Sequence, residues 1–149
     1  SVSDNFRVGL LGRFSFVASA GSFLRKEELS FMDAHHFNGN KTWFTSFRLT
    51  DFRNLDYYQW STTASFLEGH AEQDFGGFLL NKIPLIRRLK LNEVAGVHYF
   101  YTERAGHYTE LTLGVEKLNF IRVEVYTSFA EGKRGAFGLV IGIRRSISI

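Results

Sequence analysis

Ile121-Arg-Val-Glu-Val-Tyr-Thr-Ser-Phe129 sets Ile121, Val123, Val125, Thr127 and Phe129 against Arg122, Glu124, Tyr126 and Ser128. A period of two with one apolar and one polar face is the signature of a β-strand. The turn chemistry Glu131-Gly-Lys-Arg-Gly135 follows. Phe137, Leu139, Ile141 and Ile143 then alternate with Ala136, Gly138, Val140, Gly142 and Arg144. The two runs predict a hairpin with one bulky face and one small or charged face.

The same pattern extends upstream. Leu111, Leu113 and Val115 oppose Glu110, Thr112, Gly114 and Glu116, and the short link Lys117-Leu-Asn119 leads into the strand that starts near Phe120. Asn92 to Glu103 carries Ala95, Val97, Tyr99 and Tyr101 on one side, with Gly96, His98 and Phe100 on the other. The loop Arg104-Ala-Gly-His107 closes that pair, so four strands in meander order are expected. A strand is expected over Ser61 to Phe75, with Glu68, His70, Glu72 and Asp74 on one face and Leu67, Gly69 and Ala71 opposite. A first strand is expected over Phe6 to Ala18. Residues 25 to 60 are less regular, with turn chemistry at Asn38-Gly-Asn40 and one or two strands near Thr42 to Leu49 and Tyr57 to Trp60. The spacing in Phe78 to Leu89 predicts a short interfacial helix or turn broken by Pro84.

Composition agrees with half-apolar strands. Aromatics make up 16% of 149 residues, with 16 Phe, 14 Gly and a single Pro. Such a balance suits sheets that are apolar on one face only. There is no Cys, so neither a disulfide nor a cysteine metal site is available. The net charge of +3 comes without a run of like charges, which argues against a nucleic-acid tail. No segment reaches the ~18 apolar residues of a membrane helix. The chain opens on Ser-Val-Ser without an initiator Met, as expected of a processed, excised or partial chain. There is no internal repeat or linker, and residues 1–149 are read as a single β-barrel domain, the C-terminal part of a larger barrel.

In a bilayer every backbone polar group needs an internal partner, so a spanning sheet must close into a barrel with a polar interior. Mid-strand charges then fall on one side, as Arg122 with Glu124, Glu110 with Glu116, and Glu68 with His70 and Glu72 do. A soluble β-domain would show the same alternation; its discriminator is the other face. Here that face is continuous Ile, Val, Leu and Phe, with Tyr99, Tyr101, Phe120, Phe129 and Phe137 near strand ends, where interfacial aromatic girdles lie. The fold class expected is all-β, an antiparallel meander forming part of a transmembrane outer-membrane β-barrel.

Tyr108-Thr-Glu-Leu-Thr-Leu-Gly-Val-Glu116, a tight turn, Phe120-Ile-Arg-Val-Glu-Val125, a loop and Gly138-Leu-Val-Ile-Gly-Ile143 resemble the last three strands of bacterial surface-antigen barrels. In that superfamily of outer-membrane assembly and two-partner secretion proteins an arginine often stands where Arg122 does, just after the periplasmic turn. A longer pattern runs through His36-Phe-Asn-Gly-Asn40, Tyr57-Tyr58 with Ser61-Thr62, and Gly77-Phe-Leu-Leu-Asn-Lys-Ile-Pro-Leu-Ile-Arg-Arg-Leu89. It resembles a Bacteroidota outer-membrane family of unknown function whose members join an N-terminal carboxypeptidase-regulatory-like domain to a C-terminal barrel of this type. The resemblance spans about residues 6 to 145. It implies an outer-membrane location, with the remaining strands and an N-terminal soluble domain as partners. Two departures stand out. There is no Val-Arg-Gly-Phe or Val-Arg-Gly-Tyr lid-loop motif, which argues against polypeptide insertion or secretion, and the chain ends in Ile147-Ser-Ile149 without the terminal aromatic common in outer-membrane proteins.

Glu68, His70 and Glu72 place three ligand types on one strand face, with neighbours on that face about 7 Å apart. A metal site or proton relay competes here with a structural network. Side chains at that spacing converge poorly on one ion without further ligands, which favours a lumen polar network of Glu68, His70, Glu72, Asp74, Arg122 and Glu124, with Arg122 and Arg13 as cationic partners. His35-His36 beside Asp33 suggests a metal pair, but adjacent residues of an extended chain point to opposite faces. No nucleophile elbow, phosphate loop or dinucleotide fingerprint occurs, so no enzyme chemistry and no cofactor are expected. Lys82, Arg87, Arg88 and Lys90, set among Ile83, Leu85, Ile86 and Leu89, suit contact with lipid head groups; solvated charges on a rim turn are the plain alternative. The expected function is non-catalytic, in envelope transport or biogenesis. The rivals are a small complete eight-stranded barrel, a soluble β-barrel binding an apolar ligand, and an enzyme built on Glu68, His70 and Glu72.

Overall fold

The computed structural model describes residues 1–22, 34–39, 41–42, 44–55, 62, 65–104, 106–117 and 120–144. The strands are β1 (Val2–Arg7), β2 (Arg13–Gly21), β3 (Phe44–Phe47), β4 (Phe66–Asp74), β5 (Leu91–Thr102), β6 (Gly106–Lys117), β7 (Ile121–Ala130) and β8 (Lys133–Arg144). They form one curled half-barrel sheet in the order β1-β2-β4-β5-β6-β7-β8-β3. All pairings are antiparallel except β3 with β8, which is parallel. The fold is therefore all-β, and β4 to β8 make the expected meander.

Registers follow the alternation of the sequence. Glu116 faces Arg122, Gly114 faces Glu124 and Val115 faces Val123 across β6 and β7. Glu131 and Gly132 both sit at positive φ, the two-residue geometry whose twist matches the flanking strands, so β8 begins at Lys133, earlier than the longer turn expected.

Three differences from the sequence reading have physical causes. The expected strand over Phe6 to Ala18 is two strands joined by a turn in which the Val8 N–H donates to Gly12 O at 2.8 Å. The turn preserves parity: Phe6 pairs with Phe14 and Asn5 with Ser15, so even-numbered apolar residues keep one face through both strands. The alternation therefore runs unbroken over a reversal of the chain. The strand expected from Ser61 begins at Phe66, while Thr62 forms an isolated bridge with His35. Of the strands expected in the irregular middle, the first is the short β3; Tyr57 to Trp60 lie outside the described residues. The Phe78–Leu89 segment is a 3-10 turn at Leu80–Lys82 followed by a single helical turn, Pro84–Arg87. Pro84 opens that turn, where its missing N–H costs nothing.

The connection between β2 and β4 supplies the core. Its Phe37, Phe52 and Leu55 pack with Phe100 of β5 and Tyr108 of β6 against the concave face. Phe37 stacks on Phe100 with centroids 4.2 Å apart, and Phe52 meets Phe100 edge-on at 5.4 Å. The half-barrel is filled by its own chain.

Candidate functional site: an ionic network on the concave face

Burial is inverted relative to a water-soluble sheet. Glu110 and Glu116 of β6 are fully buried, whereas Leu113 between them is 58% exposed. Arg122 and Glu124 of β7 are buried, while Ile121 and Val123 are exposed. Leu67, Val97, Leu111, Phe137, Leu139, Ile141 and Ile143 continue the exposed apolar face. Strand alternation places the charged set on the concave side, and the inward segment shields it from water.

Arg122 organises the network. Its Nη1 and Nη2 donate to the two oxygens of Glu72 at 2.6 and 3.1 Å, a fork that matches carboxylate geometry. Its Nε donates to Glu116 Oε1 at 2.5 Å and Nη1 to Glu124 Oε2 at 3.1 Å. The second oxygen of Glu124 accepts from Arg53 Nε at 2.6 Å, and that of Glu116 from Arg144 Nη1 at 2.9 Å. Arg144 also reaches Asp74 Oδ2 at 3.3 Å. Three arginines thus tie β4, β6, β7, β8 and the inward segment together. The Phe47 ring lies under the guanidiniums of both Arg53 and Arg122, at 5.0 and 5.2 Å. Glu110 fixes the inward segment by accepting the backbone N–H groups of Arg53 and Asn54 at 2.5 and 3.0 Å and the Tyr108 hydroxyl at 2.9 Å.

Glu68 and His70 belong to a second line of polar groups. Glu68 Oε1 contacts His70 Nε2 at 3.0 Å and Oε2 contacts His35 Nε2 at 3.2 Å. His70 Nδ1 lies 2.9 Å from His98 Nδ1. Both nitrogens of His70 are therefore engaged. Among the described residues no group of three His, Asp or Glu side chains is placed to hold a metal ion. His35 stacks on Phe66 at 3.7 Å, and Asp33 lies outside the described residues.

The structure brings Glu72, Asp74, Arg122 and Glu124 into one network and puts Glu68 and His70 in the adjoining one. Arg13, expected to pair with these acids, instead borders a cavity, because Arg122 and Arg144 take up the Glu72 and Asp74 carboxylates. Lys82, Arg87, Arg88 and Lys90 are exposed on the β4–β5 connection, beside the exposed Leu79, Ile83, Leu85 and Leu89. Lys82 Nζ sits 4.0 Å over the Phe78 ring. Glu110, Glu116 and Arg144 were visible in the sequence as polar-face residues without an assigned partner. Arg53 carried no signal, since no periodicity marks residues 48 to 55.

Residues 1–115 match the C-terminal domain of a family of unknown function, DUF5686. The chain belongs to that family. No curated protein and no solved structure matches it. The DUF5686 match covers β1 to β5 and most of β6, including the inward segment with Arg53 and the β4 acids, while Arg122 lies beyond it.

Proposed function

We propose that this DUF5686 domain is part of an outer-membrane β-barrel, non-catalytic, that serves envelope transport or biogenesis. The inverted burial carries the reading: a face of exposed Leu, Ile, Val and Phe runs over β4 to β8, and every charge of the network lies behind it. Contiguous apolar surface of that extent calls for a lipid or protein cover, and buried charges on the other side suit a barrel interior. A soluble barrel with an apolar ligand would leave an open apolar cavity on the concave face, which is occupied here by the aromatic cluster of the inward segment and by the arginines and carboxylates. A complete eight-stranded barrel fits less well, since β1 and β3, at the two ends of the sheet order, are not paired with each other among the described residues. The remaining partners in this reading are outer-membrane lipid, further barrel strands beside β1, and an N-terminal soluble domain of the carboxypeptidase-regulatory type in a Bacteroidota protein.

Site-directed spin labelling of the full-length protein in lipid tests it. Labels at Val123, Leu139 and Ile141 should show lipid-like accessibility. Lipid-like accessibility at Arg122 or Glu124 overturns the topology, and release of the protein from membranes by carbonate alone overturns the membrane assignment.

A further inference from the structure

A cavity of about 730 Å³ lies between the β1–β2 hairpin, the turn that follows β3 and the Glu72, Asp74, Arg122 and Arg144 end of the ionic network. Its size is that of a small-molecule site. Arg7 and Arg13 border it as direct cross-strand partners, two residues along from the Asn5–Ser15 pair. Two like charges directly opposite each other repel, and an anion held between these two exposed arginines relieves the repulsion. Arg48 enters the same cavity from the end of β3.

The acids nearby are engaged elsewhere. Arg13 stands opposite Asp74 across β2 and β4, yet Asp74 Oδ2 accepts from Arg144 and its Oδ1 from the Gly76 N–H at 2.9 Å. Glu72 is held by both Nη atoms of Arg122. Asp4 also lines the cavity, and its Oδ1 accepts the Asn5 N–H at 2.7 Å. Asp51, buried beside Arg48, offsets part of that arginine's charge.

We infer that Arg7, Arg13 and Arg48 form a binding site for a phosphate-bearing anion, with Ser3, Asn5 and Ser15 as neutral hydrogen-bonding groups. Guanidinium forks match phosphate oxygens pairwise, and the five arginines of the lining outnumber its three acids, Asp4, Glu72 and Asp74. The hairpin turn adjoins the β4–β5 connection through the β2–β4 pairing, so a free phosphate compound and a lipid phosphate at the rim have equal access. Binding is measured on the full-length protein in detergent, so its failure is distinguishable from failure of the membrane reading.

Calorimetry of the purified full-length protein in a zwitterionic detergent, titrated with inorganic pyrophosphate, tests the site. Saturable binding is expected. It should weaken at least tenfold in R7Q/R13Q and severalfold in R48Q, and stay unchanged in R104Q, whose arginine is exposed beyond β5 on the opposite rim. Competition by nanodiscs containing phosphatidic acid, but not by pure phosphatidylcholine nanodiscs, assigns the anion to a lipid; its absence assigns a soluble phosphate compound. Either result supports the site once R7Q/R13Q has lost binding. Absence of saturable binding, or equal binding by R7Q/R13Q with unchanged heat-modifiability, overturns it.

Discussion

Arg53 Nε donates to Glu124 Oε1 at 2.6 Å across 71 residues of sequence, and both side chains are buried. The contact joins an irregular connection to the middle of a regular strand. It ties the inward segment to the concave face.

Replacing Arg53 with Met should release the inward segment. Breaking a buried pair by removing one partner costs about 3–5 kcal/mol, because the remaining charge stays uncompensated. Limited proteolysis should then cut within residues 34–55, while the native protein resists; equal resistance in the variant shows that the packing of Phe37 and Phe52 alone holds the segment.

Arg122→Lys should be nearly as harmful as Arg122→Ala. A single ammonium cannot supply a fork to Glu72 together with the bond from Nε to Glu116. The midpoint of urea unfolding in detergent reads the difference, and full retention of stability by the lysine variant shows that charge alone suffices.

Leu113→Arg separates a lipid-facing sheet from a water-facing one. At the bilayer midplane an arginine costs about 2–4 kcal/mol, whereas an exposed surface position in water changes stability by within about 0.5 kcal/mol. Folding yield into phosphatidylcholine vesicles should fall sharply; an unchanged yield argues for water on that face.

Replacing Lys82, Arg87, Arg88 and Lys90 together with Gln should weaken binding to vesicles containing anionic lipid. The expected loss is about 1 kcal/mol per residue near the charged surface, and it should shrink as salt is raised. Flotation assays at two ionic strengths measure it, and unaltered flotation marks the segment as a plain turn.

Gly142→Val should detach β3. A Cβ at position 142 falls 1.8 Å from the Thr45 carbonyl oxygen, a backbone atom of the strand paired with β8. Spin labels at Phe44 and Ile141, which are Cα partners, should report a longer and broader distance in the variant, and an unchanged distribution shows that β8 shifts instead.

The sequence by itself determined the two-faced character of β4 to β8, because strand alternation is local: Arg122 and Glu124 must share a side whatever they meet. It also placed Glu68, His70, Glu72 and Asp74 together on β4 for the same reason. The turn at Val8–Gly12 stayed hidden because the β1–β2 hairpin keeps apolar residues on even positions throughout. Only the tertiary structure decided that Arg122 takes Glu72 from a strand 50 residues earlier, that Arg144 takes Asp74, and that Arg13 is left at a cavity. Those assignments depend on how far the sheet curls and which side chains it brings within hydrogen-bond reach. The inward segment is the extreme case: Phe37, Phe52 and Arg53 have no periodicity of their own, and they are buried because the concave face opposite offers them Phe100, Tyr108, Glu110 and Glu124.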